Sequence, residues 1–188
     1  MSEMTRRAVL GLEYFASTML AREGKYLEYL KDHDSYSIRL EVAETGLYLN
    51  QLKDDEDPDV RREVIKQGEY LEYFIENDDD TCNVKLAKYL LDAKVHVVAR
   101  NFGTYIGNLY LYTWANRYEI HSGCFKTGNV NRWQERCTER LGGQVAEDYT
   151  NKIKELLMGA GLVVGSPTQI LTQRLTKYTK NWYVLYPN

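Results

Sequence analysis

Three side chains in this sequence come closest to metal or nucleophile chemistry: His121, Cys124 and Cys137. A structural zinc needs four nitrogen or sulfur ligands, and this set offers three, with Cys137 spaced to fall on the apolar side of a helix. The simpler reading is a core cysteine. Cysteine–histidine catalysis would also need a third group to orient the histidine, and the spacing supplies none. No Gly-rich phosphate loop, Walker motif or serine nucleophile elbow is present, and Gly159-Ala160-Gly161 reads as a helix stop. The expectation is a protein without metal, cofactor or catalytic site.

The charged residues say more. Arg132, Arg136 and Arg140 are four apart, so a helix puts them on one face and Val130, Trp133, Cys137 and Leu141 on the other. Arg117, Lys126, Lys152 and Lys154 would widen this basic patch if they fold nearby. Tyr110, Tyr112 and Tyr118 could stack on nucleic-acid bases or simply fill a core. Against this, Glu135 and Glu139 lie close enough to pair with the arginines and leave only a solvated face. Acidic residues cluster as Asp32 and Asp34, then Asp54 to Asp57 with Asp59, then Glu76 with Asp78 to Asp80. One residue per cluster suffices to cap a helix, and Ser35, Asp57 and Asp79 are the candidates. The surplus at Asp54, Asp55, Glu56, Asp78 and Asp80 forms a candidate recognition edge that imitates a nucleic-acid backbone. A calcium loop does not fit, because the required aspartate spacing with its glycine and later glutamate is absent.

What positions these acids is a repeat of 22 residues running from Ala16 to Leu90. Tyr26-Leu27, Tyr48-Leu49 and Tyr70-Leu71 recur at that spacing, closed by Leu30, Leu52 and Phe74. A second apolar set, Ile38, Val42 and Ala43, recurs as Val60, Val64 and Ile65, then as Cys82, Leu86 and Ala87, with Ala16, Leu20 and Ala21 as a degenerate first copy. Gly24, Gly46 and Gly68 separate the two sets, as expected where a helix ends in a left-handed residue. Each unit therefore reads as two short helices joined at glycine, and Met1 to Gly24 as a capping helix. Asp57-Pro58 opens one helix with an N-cap and a proline at the first turn. The run Asp57-Pro58-Asp59-Val60-Arg61-Arg62-Glu63-Val64-Ile65-Lys66-Gln67-Gly68 resembles the short HEAT-like, leucine-rich-variant type of repeat. That resemblance implies an α-solenoid-like array and, since such arrays followed by a small mixed domain are associated with bacteriophages and mobile elements, a phage-type protein.

Beyond Asp92 the period changes. Val95 to Ala99, Tyr105 to Thr113 and Arg117 to His121 read as strands, with a turn at Asn101-Phe102-Gly103. Ser122 to Gly128 links them to helices from about Asn131 to Leu141 and Val145 to Met158. This strand, Gly-Cys-Phe turn and helix succession resembles a module of phage-type proteins, and no site residue follows from that. Leu162 to Val164 and Trp182 to Tyr186 read as strands flanking a helix after Pro167. The expected class is α+β, with a helical-repeat domain over 1–92 and a basic α+β domain over 93–188.

Composition sets the bounds. The 188 residues are 44% hydrophobic, enough for a core, and sixteen are tyrosine. Three cysteines argue for a reducing compartment, and neither a membrane-spanning run nor a signal peptide is visible, so a cytosolic location is expected. The net charge of −3 hides an asymmetry. Residues 1–92 hold 12 Lys+Arg against 21 Asp+Glu, a balance of −9, and residues 93–188 hold 12 against 6, a balance of +6. Together these features predict a non-enzymatic binding protein: an inhibitor or adaptor that docks on a host protein such as a nucleic-acid-binding, CRISPR-type defence complex. The rival is direct nucleic-acid binding through the basic domain.

Overall fold

The computed structural model describes residues 5, 9–100, 102, 107–123 and 125–162, and every structural statement below concerns those residues. They form an α+β fold in three layers. The first layer holds α1 (Tyr14–Arg22), α2 (Leu27–Leu30), α3 (Tyr36–Glu44), α4 (Leu49–Leu52), α5 (Pro58–Lys66), α6 (Leu71–Asn77) and α7 (Thr81–Leu90). An antiparallel sheet of β1 (Lys94–Ala99), β2 (Leu109–Thr113), β3 (Tyr118–Ser122) and β4 (Phe125–Thr127) follows in sequential order. The third layer is the pair α8 (Val130–Leu141) and α9 (Gly143–Gly159). No helix among the described residues is long and apolar enough to cross a membrane.

The long helices α1, α3 and α5 start 22 residues apart and lie side by side, with α7 packed on α5. Their shared core is the apolar set seen in the sequence: Ile38, Val42, Ala43, Val60, Val64, Ile65 and Ala87 are fully buried. Leu30, Leu52 and Phe74 close that core from the short helices. Gly24, Gly46 and Gly68 sit at φ of +71°, +77° and +82°. Two residues after each glycine, Tyr26, Tyr48 and Tyr70 also adopt left-handed φ of 57°, 58° and 55°, which costs a side-chain-bearing residue about 1–2 kcal/mol. Their carbonyls recover part of this by accepting the first amides of α2, α4 and α6, as in Tyr29 N to Tyr26 O at 3.0 Å.

Strand β2, Leu109-Tyr110-Leu111-Tyr112-Thr113, is buried along its whole length because both sheet faces are covered. Tyr110 and Tyr112 face the first helical layer, while Leu109 and Leu111 face α8 and α9 with Trp133, Ile153 and Leu157. A register shift between Val97 and Ala99 in the β1–β2 pairing leaves Val98 extra, and Val98 joins the α8–α9 core while Val95 and Val97 stay with the other.

Several boundaries differ from the sequence reading. The expected capping helix is broken at Gly11–Glu13, with Val9 buried ahead of α1. Strand β2 starts at Leu109, and β4 lies in what reads as a linker. Asp57 caps α5 as expected, but Asp80, not Asp79, caps α7, because Asp80 Oδ1 accepts both Cys82 N and Asn83 N. Ser35 stands at the N-cap of α3 without a side-chain cap bond. The segments Val163–Val164, the helix after Pro167 and Trp182–Tyr186 lie outside the described residues.

The glycines are not equivalent. A Cβ on Gly68 would meet Val95 Cγ2 at 2.5 Å, one on Gly46 would meet the flexible end of Arg100, and one on Gly24 would meet nothing within 4 Å. All three pay for positive φ, but only Gly68 also forces a β-branched strand residue to move. Denaturation midpoints should therefore rank Gly68→Ala as the most destabilising, above about 1 kcal/mol, then Gly46→Ala, then Gly24→Ala.

Candidate functional site

The acidic loops are tied together by arginines. Arg39 of α3 forks onto Asp55 of the next loop, with Nε and Nη2 donating to Oδ2 and Oδ1 at 2.7 and 2.9 Å. Its Nη1 donates to the carbonyls of His33 and Asp34 in its own loop, at 2.8 and 3.0 Å. Arg61 does the same one repeat later: it forks onto Asp78 at 3.2 and 3.0 Å and donates to the carbonyls of Asp55 and Glu56. Guanidinium suits this role because its planar fork binds a carboxylate bidentately and still has a donor to spare. Each arginine thus staples one loop to the next.

The stapled carboxylates are saturated. Asp55 Oδ1 also accepts Asp57 N at 2.9 Å, and Asp78 Oδ1 accepts Asp80 N at 2.8 Å. Burial pushes the Asp78 carboxyl upward, yet Arg61, the Asp80 amide and Asn83 outweigh it and hold it below the usual carboxylate range. The side chains of Asp55 and Asp78 are only 5% and 0% exposed. As candidate partner-facing groups they must be set aside, since both point inward.

Their neighbours point outward. Glu56 is 84% and Asp79 is 92% exposed, each touching the same arginine with one oxygen, at 3.0 and 2.6 Å. Asp54 pairs with Lys53 at 2.6 Å and accepts from Tyr73, whose ring lies under Lys53 Nζ at 4.2 Å. Asp80 is committed to the α7 cap. Two repeat-related grooves open along this edge, one of about 480 Å³ lined by Lys31, His33, Arg39 and Asp55, the next of about 210 Å³ lined by Lys53, Arg61, Tyr73 and Asp78.

The basic candidates do not gather at one place. Arg132, Arg136 and Arg140 are exposed on α8, opposite buried Val130, Trp133 and Cys137, and Arg136 lies over the Phe125 ring at 4.6 Å. Arg132 and Arg140 have no ion-pair partner among the described residues. Lys126 is exposed on β4. Arg117 is elsewhere, in the β2–β3 turn, with its guanidinium 3.8 Å from the Trp114 ring centre and 5.1 Å from that of Tyr89, and in contact with Glu119. Tyr110 and Tyr112 are core residues, as is Tyr118, so none is a base platform. His121 lies against Tyr112 and bonds Glu119 at 2.9 Å on the helical side of the sheet, whereas Cys137 packs on the opposite side. They cannot share a metal, and Cys124 lies outside the described residues.

A polar network between helices and sheet escapes the sequence pattern. Glu63 accepts from Tyr110 and pairs with Lys66 at 2.9 Å, Gln67 and Asn108 donate to the Tyr110 hydroxyl, and Asn108 also donates to the Glu44 carbonyl. Glu44 is buried beside Glu63, and its Oε2 has no hydrogen-bond partner. Burial first, then the Glu63 and Glu41 charges, raise its pKa to about 8, with Lys66 and Arg22 offsetting only part. Only the register of Glu41, Glu44 and Glu63 on otherwise apolar helix faces could have signalled it.

Comparison with protein-family models, curated proteins and solved structures finds no match to this chain.

Two outcomes follow from this geometry. Arg61→Leu leaves Asp78 buried and unpaired and should cost about 3–5 kcal/mol in urea denaturation, with Arg61→Leu/Asp78→Asn recovering a large part. Glu44 binds its proton more tightly folded (about 8) than unfolded (4.5), so its contribution is full below pH 4.5 and is lost as pH rises through 8. Unfolding free energy measured across this range should fall in the wild type and flatten in Glu44→Gln.

Proposed function

We propose that the protein is a non-enzymatic adaptor or inhibitor that docks its acidic loop edge onto a Lys/Arg-lined groove of a host protein. In this reading the helices of residues 1–92 act as a short α-solenoid-like array, carried on an α+β unit spanning 93–188. The carrying observation is the pair of arginine staples, which fix successive loops and leave Glu56 and Asp79 projecting from equivalent places. Acids held in place before binding lose little freedom on docking, which favours affinity. The surrounding field supports the same reading: residues 9–92 hold 10 Lys+Arg against 20 Asp+Glu, a balance of −10. The resemblance to phage and mobile-element repeat proteins points to a nucleic-acid-binding defence complex of the CRISPR type, met in the host cytosol.

A second reading, direct nucleic-acid binding, is favoured by the unpaired guanidinium groups of Arg132 and Arg140. It is weakened by their surroundings. Residues 93–162 hold 9 Lys+Arg against 6 Asp+Glu, and Glu135 and Glu139 share the exposed part of α8.

The partner captured from a host lysate would serve as the probe. Asp54→Asn/Glu56→Gln/Asp79→Asn should slow association about tenfold or more at low salt, with an unchanged denaturation midpoint. An unchanged on-rate, together with lost binding in Arg132→Gln/Arg136→Gln/Arg140→Gln, would transfer the function to the basic face. Nucleic acid bound by the protein alone, with affinity falling steeply with salt, would point the same way.

A further inference from the structure

The open end of the helical layer is apolar where the rest of the layer is polar. In the 22-residue register, Phe15 and Met19 of α1 correspond to Ser37 and Glu41 of α3, and to Asp59 and Glu63 of α5. This stripe looks toward the preceding long helix: Glu41 accepts from Arg22 of α1 at 3.1 and 2.8 Å, and Glu63 approaches Glu44 of α3. On α1 no long helix precedes. Phe15 is 74% exposed, and Leu12, Tyr14 and Met19 beside it are also exposed, even though Val9 and Leu10 pack ahead of α1. The terminal unit of a stacked array ordinarily carries a polar outer face, because it has no neighbour to cover it. Here the chain places its large side chains there instead, which marks an interface.

We infer that this face binds a second copy of the chain, α1 against α1, to form a two-fold dimer that continues the helix stacking across the axis. The occupant follows from the architecture. Everywhere else in the layer this stripe is covered by a long helix lying alongside, and the second copy offers the same helix with the same face. Two-fold pairing is antiparallel for the helices, so Phe15 meets Met19 of the other copy at both ends of the contact. The charges agree, since Glu13 stands at one end of α1 and Arg22 at the other, and antiparallel pairing brings unlike charges opposite where parallel pairing would bring like ones. The acidic loops play no part in the contact, so the dimer would present two copies of that edge.

Sedimentation equilibrium of the full chain tests this. The wild type should show a monomer–dimer equilibrium. F15S/M19E gives α1 the residues that α3 carries in the same register, so it should weaken the dimer by about a hundredfold, counting the loss on both copies, while keeping the wild-type near-UV circular dichroism. Should that variant lose its fold, F15C/M19C supplies a second readout: oxidation should link position 15 of one chain to position 19 of another. A wild type that stays monomeric at its highest soluble concentration, as it would if its own chain covered the face, would overturn the inference. So would a dimer indifferent to F15S/M19E, or an oxidised F15C/M19C without that linkage.

Discussion

The helical layer depends on an arginine that reaches from one loop to the next. A helix of nine residues is too short to persist in water by its own hydrogen bonds, so α1, α3 and α5 exist because they pack. Packing of apolar stripes alone lets helices slide and rotate. Arg39 and Arg61 remove that freedom, because each binds two carbonyls of its own loop and a buried carboxylate of the next. Taking these charges out of water is costly, and the bidentate geometry together with the Asx contacts from Asp57 N and Asp80 N is what offsets the cost. The net gain from each staple is therefore less in stability than in fixing where the loops stand.

The same register shows how the series begins and ends. The staple position recurs as Ser17, Arg39, Arg61 and Asn83. Asn83 is fully buried and bonds both the Pro58 carbonyl and Asp78, closing the last loop from the far side. Ser17, at the start, is buried with its hydroxyl unpartnered. Along the acidic edge this arrangement sorts carboxylates into two kinds. Asp55 and Asp78 are internal, whereas Glu56 and Asp79 are rigidly based but solvated. A cluster of like charges in the sequence is thus half scaffold and half surface.

Much of this was legible in the sequence and some was not, for physical reasons. The glycines at 24, 46 and 68 and the Asp57-Pro58 start are local signals, because backbone conformation there is decided by the residue itself. The α8 face was readable for the same reason, as its Trp133 and Arg136 obey helical spacing. The left-handed tyrosines were hidden, since nothing about tyrosine favours positive φ and only the following helix enforces it. The internal fate of Asp55 and Asp78 was hidden because it depends on partners 16 and 17 residues away. A closer look at the repeat would have found Arg39 and Arg61 at matching positions, each 16 or 17 residues before an aspartate. The Glu44–Glu63–Tyr110 network depends on contact between the helices and the sheet, which no local pattern encodes. Strand β4 is three residues long and contains Lys126, too short and too polar to announce itself.

Native-state hydrogen exchange at the loop amides tests most directly whether the staples hold the loops. The amides of Asp57 and Asp80 lie outside regular helix hydrogen bonding and donate to Asp55 and Asp78. If the arginines lock those carboxylates in place, both amides should exchange only through openings nearly as large as those that expose Val64 in α5, within about 1 kcal/mol. Exchange as fast as that of the exposed turn residues Ala115 and Asn116 would contradict it, and would mean that the loops move independently of the helices they join.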